Sequence, residues 1–369
     1  MPTFLKRLLG VIVIAILLVA LNAFLGEQGL FGFGAPPYYS RIVMLAGINV
    51  ILAVSLNLIT GFTGQFSIGH AGFMAVGAYS SAYLAVYHAG VWERSLAAIL
   101  GGGLAHTVIF LLLIGVGALG AAISGLVVGI PSLRLRGDYL AIVTLGFAEI
   151  IRIVILNIDK VGGATGFSVP GYTNFIWVGA FAILTIVIVY NIVHSDAGRA
   201  LVSIREDELA AEAMGINTTR YKVLAFVISS ALAGVAGVLF GHYTQFLSTN
   251  DFQFIRSFEV IIMIVLGGMG SLTGSVLGAI VITVLPEALR RLPGDFSKYR
   301  LVIYAALLIL IMLTRPQGVL GQREIGFSWL RRPQRQPEGG GTVGASKGVP
   351  IAQRGSAASD HKKKEKIDE

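Results

Sequence analysis

The chain has 369 residues, of which 55% are hydrophobic and 13% charged, roughly half the charge of an ordinary soluble domain. With a mean hydropathy of +0.77, that composition places it among polytopic membrane proteins. The absence of cysteine excludes disulfides, iron–sulfur clusters and thiolate zinc sites; the six histidines lack metal-ligand spacing; and the net charge of +8 lies largely in a tail and short loops, so no metal, cofactor or nucleic acid is expected.

Lys6 and Arg7 precede an apolar run, 8–25, that is longer than a signal-peptide core and has no clear A-x-A site after it, which predicts an uncleaved first span. Further apolar runs follow at 41–60, 66–87, 96–130, 139–158, 175–193, 223–243, 258–269, 275–289 and 301–314. Most reach the ~20 residues of a helical crossing, and together they predict an all-α fold of about ten transmembrane helices. The run 96–130 holds Gly101, Gly102 and Gly103 and reads as a tilted or broken helix. Basic residues sit mainly on the even-numbered connections, Arg134 and Arg136 among them, and the positive-inside rule then puts both termini in the cytoplasm. The loop with Arg290, Arg291, Lys298 and Arg300 objects, since it falls outside. The chain divides into a first span and external loop at 1–40, a core at 41–321 and a basic tail at 322–369 that is too polar to order itself.

The stretch GFTGQFSIGHAGFMAVGAY, 61–79, breaks an apolar run with glycines and polar side chains. Each glycine costs about 1 kcal/mol relative to alanine in a helix, and free backbone groups in lipid cost more. A helix stop and restart here would put Gly61, Gly64, Gln65, Ser67, Gly69 and His70 on a polar cavity. A second interruption, LGGMGSLTGSVLGAIV, carries Gly267, Gly268 and Gly270. Two such breaks, one in each half, point to discontinuous helices lining a transport pathway, although small residues also serve close helix packing alone. GVGALG at 115–120 matches a dinucleotide-binding pattern but has neither a strand before it nor an acidic residue after it. No phosphate-binding G-x-x-x-x-G-K-[ST] occurs, so any ATP used is bound by another chain.

The internal loop 194–222 contains IREDELAAEAMGINTTRY, which predicts a short amphipathic helix from Arg205 to Met214 with Gly215 just past its end. Leu209, Ala210, Ala213 and Met214 would be available to a cytoplasmic subunit. In LGFAEIIRIV, Glu149 and Arg152 stand three apart inside a span, where an ion pair neutralises both.

Four blocks in order, SLNLITGFTGQFSIGHAGFMAVGAY, LRLRGDYLAIVTLGFAEIIRIV, REDELAAEAMGINTTRYKVLAFVISSALAGVAG and LGGMGSLTGSVLGAIV, resemble the Liv-type permease subunits of ABC importers for branched-chain amino acids, in particular the LivM branch. The resemblance implies a bacterial inner-membrane translocation subunit that is not itself an enzyme. Its implied partners are a second Liv-type permease, two cytoplasmic ABC ATPase subunits, an external substrate-binding protein and membrane lipid. Glu208, Ala211, Glu212, Ala213 and Gly215 fall on the family's ATPase-coupling block. Relatives that carry urea or short amides, and an ATPase-independent secondary transporter, are the alternatives. A hydrolase built on Ser67 and His70 lacks any supporting motif.

Overall fold

The structure is a computed structural model that describes residues 37–133, 135, 137–290 and 300–314, with Gly318 and Gly321. The expected first span at 8–25, Arg134, Arg136, the loop 291–299 and the tail from 322 lie outside the described residues.

In chain order the helices are α1 (Pro37–Asn57), α2 (His70–Leu84), α3 (Gly90–Leu100), α4 (Gly102–Ser132), α5 (Asp138–Leu156), α6 (Phe175–Val193), α7 (Asp196–Glu206), α8 (Glu208–Ala213), α9 (Thr218–Thr244), α10 (Phe254–Gly267), α11 (Leu272–Arg290) and α12 (Arg300–Thr314). Among the described residues six are long and apolar enough to cross a membrane: α1 with its extension to Phe62, α4, α5, α6, α9 and α11. The shorter α2 and α10 pack into the helical core, and α12 lies outside it against α11. One exception to the all-α reading is a two-residue antiparallel ribbon, β1 (Phe167–Ser168) on β2 (Phe246–Leu247), which ties the connections after α5 and α9 together.

Side-chain contacts sort the helix ends into two faces. At one, Tyr38 donates to Glu287, Phe254 N–H donates to Glu149 at 3.2 Å and Tyr87 donates to the Lys160 carbonyl at 3.0 Å. At the other lie α7, α8, the end of α1 and the α10–α11 turn. We call these the distal face and the loop face.

α9 is the centre of the fold, packed on α2, α4 and α1. Small residues set that approach. A Cβ on Gly77 of α2 would strike the backbone of Gly234 on α9, and one on Gly234 would strike Ala121 and the Gly117 carbonyl of α4. Without a hydrophobic driving force between helices in lipid, backbone-to-backbone contact of this kind supplies the van der Waals attraction that holds them. It also disposes of the dinucleotide pattern at 115–120, which is continuous α4 helix.

Three sequence expectations need correction. The connection between the apolar runs 66–87 and 96–130 is helical and not a loop: a π turn at Ala85–Ala89 leads into α3, and the helix breaks after it, at Gly101. The run 66–87 starts its helix only at His70. Arg205 to Met214 is two helices, because Asp207 leaves the α region (φ −156°, ψ 110°) to cap α8 with its own carboxylate.

Candidate functional site

α1 loosens into a π-helical turn, Leu58–Phe62, before the chain leaves helix altogether until His70. Such turns free carbonyls from the i→i−4 ladder and recur at functional sites. Neighbouring helices satisfy what the break exposes. Thr144 of α5 accepts the Ile68 N–H at 3.0 Å, and Ser257 of α10 accepts the Ala71 N–H at 3.0 Å. The Ser257 hydroxyl thereby replaces the cap that Gly69, with no side chain, cannot give to α2.

Gln65, Ser67 and His70 are buried, and His70 Nε2 lies 2.8 Å from the Ser55 hydroxyl of α1. Among the described residues Thr60 Oγ1, Gln65 Oε1 and His70 Nδ1 are buried without a hydrogen-bond partner. Gly69 is small because α5 crosses it: a Cβ there would sit 2.7 Å from the Thr144 carbonyl oxygen.

The second break is the turn between α10 and α11. Gly267 and Gly274 press backbone on backbone across this hairpin, and a Cβ on Gly278 would strike the Met263 carbonyl. Gly268 ends α10 against the backbone of Gly321.

The two breaks meet. Asn57, the last residue of α1, donates to the Ser271 carbonyl at 3.0 Å and accepts the Gly270 N–H at 2.9 Å. Arg205, in the last turn of α7, donates through Nη1 to the Gly61 carbonyl at 3.0 Å, while Nε and Nη2 hold Glu206 at 3.1 and 2.6 Å. Gly64, at φ +73°, passes so close to α7 that a Cβ would lie 2.7 Å from Arg205 Cγ; both the dihedral and the space demand glycine.

α8 hangs from this junction. Asp207 accepts the Leu209 and Ala210 N–H groups at 2.9 and 3.1 Å. At the far end Gly215 (φ +83°) donates to the Glu212 carbonyl at 2.9 Å and Ile216 donates to Ala211 at 3.1 Å, the paired bonds of a Schellman stop. Leu209, Ala210, Ala213 and Met214 are exposed, with Leu209 at 63% and Met214 at 83%. Ala211, by contrast, is buried and faces the protein, so it is not on the outward surface of the coupling block. Both acidic residues have internal partners: Glu208 meets Lys222 of α9 at 2.6 Å, and Glu212 accepts from the Thr218 hydroxyl at 2.7 Å. A groove of about 620 Å³ opens beside α8, lined by Arg199, Ser203, Gly215, Ile216, Arg220 and Tyr221.

Glu149 and Arg152 form the expected pair at 2.7 Å, and Glu149 also receives the first N–H of α10, so the pair fastens α5 to α10. At the distal face Glu93 of α3 takes His106 at 3.1 Å and the Tyr172 hydroxyl at 3.3 Å. Burial, and then the Glu93 charge, hold the Tyr172 phenol above its ordinary pKa, which keeps it a donor. The sequence alone does not mark Asn57 and Arg205 as site residues. A lone Asn in the run ILAVSLNLIT is the available signal, but its partner is more than two hundred residues away.

Residues 38–312 match the family described as the branched-chain amino acid transport system / permease component. The chain belongs to this family. The high-affinity branched-chain amino acid transport system permease protein LivM of Escherichia coli is 34% identical over 82% of this chain and 73% of its own. A probable LivM permease of Methanocaldococcus jannaschii is 27% identical over 78% of this chain and 94% of its own. The permease LivH of Salmonella typhimurium is 35% identical over 45% of this chain and 53% of its own. Among solved structures, an inward-facing conformation of a metal-chelate type ABC transporter aligns with 84% of this chain and 99% of its own at 15% identity and a TM-score of 0.41, a likeness too distant to add to the family match. This permease is therefore a multi-pass membrane protein of the LivM type.

Proposed function

We propose that this permease is the LivM-type translocation subunit of an ATP-driven importer that moves branched-chain or related small amino acids into the bacterial cytoplasm by alternating access. Two ATP-hydrolysing subunits dock on the loop face, a second Liv-type permease completes the membrane part, and an external protein delivers substrate to the distal face. Both termini then lie in the cytoplasm.

One observation supports this reading above the others: the exposed apolar tip of α8 hangs directly from the junction of the two helix breaks. An ATPase gripping Leu209, Ala213 and Met214 holds a lever attached to Gly61 and Gly270. The buried, unpartnered Thr60 Oγ1, Gln65 Oε1 and His70 Nδ1 support a pathway at the first break. Buried polar groups without partners are costly, and a second conformation that opens the break to water or substrate would satisfy them.

The test is uptake of radiolabelled leucine into vesicles holding the complete transporter, with ATP inside or outside. Accumulation that needs nucleotide on the α8 side and is competed by isoleucine and valine, not by urea, supports the reading. Leucine movement without ATP contradicts it.

A further inference from the structure

Arg205 is the one cationic side chain, among the described residues, that touches the first break and abuts the second. Its Nη1 donates to the Gly61 carbonyl and lies 3.1 Å from where a Gly270 Cβ would be, while Gly64 packs on its aliphatic stem. Three glycines from two breaks thus adjoin one arginine, Gly61 and Gly270 at its guanidinium and Gly64 at its stem. Glu206 fixes its orientation by taking Nε and Nη2, which leaves Nη1 aimed at the carbonyl that the π turn has released. Asp207, the next residue but one before Leu209, caps α8. One residue, Glu206, separates the arginine bonded to the Gly61 carbonyl from the aspartate that caps α8.

We propose that Arg205 is the positioning residue that makes both helix breaks move with α8. It does so by bonding α7 to the π turn and packing against the α10–α11 turn, which Asn57 ties to the same end of α1. A planar fork suits that role, because one edge stays with Glu206 and the other stays with Gly61, so rotation of α7 and α8 cannot slip past the break. An ammonium carries its three donors on one rotatable nitrogen, so it keeps no fixed plane and does not span both acceptors as a fork. The proposal rests on α8 being the ATPase contact, and its test separates the two ideas.

The complete transporter is prepared with wild-type, Arg205→Ala and Arg205→Lys permease, and ATP hydrolysed and leucine taken up are measured per assembled complex. In Arg205→Ala, hydrolysis continues while uptake falls roughly tenfold, within the ~5- to 150-fold range of site-to-site coupling, and Arg205→Lys recovers part of the loss. An unchanged ratio of ATP to leucine, whether uptake is normal or reduced along with abundance, overturns the proposal. A second measurement needs no substrate. The chain has no native cysteine, so nitroxides on Met269→Cys, beside the second break, and Val91→Cys, on the distal face, report their separation with and without nucleotide. The distance shifts with ATP in the otherwise wild-type chain and stays fixed once Arg205→Ala is added; equal shifts in both overturn the linkage. ATPase subunits that fail to bind even the wild-type permease bring down the docking reading instead.

Discussion

Asn57 holds Gly270: the amide of the last residue of α1 accepts the Gly270 N–H at 2.9 Å and donates to the next carbonyl at 3.0 Å. Within the turn Ser271 accepts the Gly274 N–H at 3.0 Å, and α1 adds the outside hold that the glycines cannot supply. Asn57→Ala would strand the part-buried Gly270 N–H, at about 1–3 kcal/mol before relaxation, while the Ser271 carbonyl keeps the Ser275 N–H and hydroxyl as donors. We expect a lower Tm for the purified permease and a loss of uptake larger than the loss of abundance. Unchanged Tm and uptake would show that the turn stands alone.

The space at Gly69 belongs to α5. Gly69→Ala should cost about 1–3 kcal/mol, because a Cβ 2.7 Å from the Thr144 carbonyl forces α2 away. Gly69→Val should cost more and reduce folded permease in the membrane as well as transport. Full abundance with blocked transport would instead mean that the position lines the passage.

Lys222 is buried, and Glu208 neutralises it at 2.6 Å. Replacing Glu208 with alanine should destabilise the loop face by about 2–3 kcal/mol, below the ~3–5 of a dry pair because Glu208 is a quarter exposed. Combining Glu208→Ala with Lys222→Met should restore most of that loss, since no unpaired charge then remains. Thermal unfolding of the two single variants and the double measures the coupling directly.

Orientation follows from the faces. Cysteines at Met214 and Val91, both well exposed, should react with an impermeant maleimide from opposite sides of the membrane, Met214 from the cytoplasm. Labelling of both from one side would refute the two-face arrangement.

Much of this is legible in the sequence, for local reasons. The break at 61–72, the Gly215 stop and the Glu149–Arg152 pair each depend on residues within one or two turns of each other, so spacing carries the signal. The division of the coupling segment at Asp207 is also local yet escapes a periodicity reading, because REDEL reads as continuous helix unless the aspartate is taken as a cap. What spacing cannot show is who fills the break. Thr144, Ser257 and Arg205 reach it from three different helices, and the burial of Gln65 and His70 follows from that convergence rather than from their own segment.

The most direct test of the central idea, that α8 is where ATP hydrolysis enters this permease, is Ala213→Arg. Ala213 is exposed between Leu209 and Met214, with room outside the protein for a longer side chain. Leucine uptake and ATPase co-purification are measured on the same membranes at matched permease abundance. Loss of uptake together with loss of bound ATPase, in a permease that still folds, is the result expected. Normal ATP-driven uptake by Ala213→Arg would contradict it.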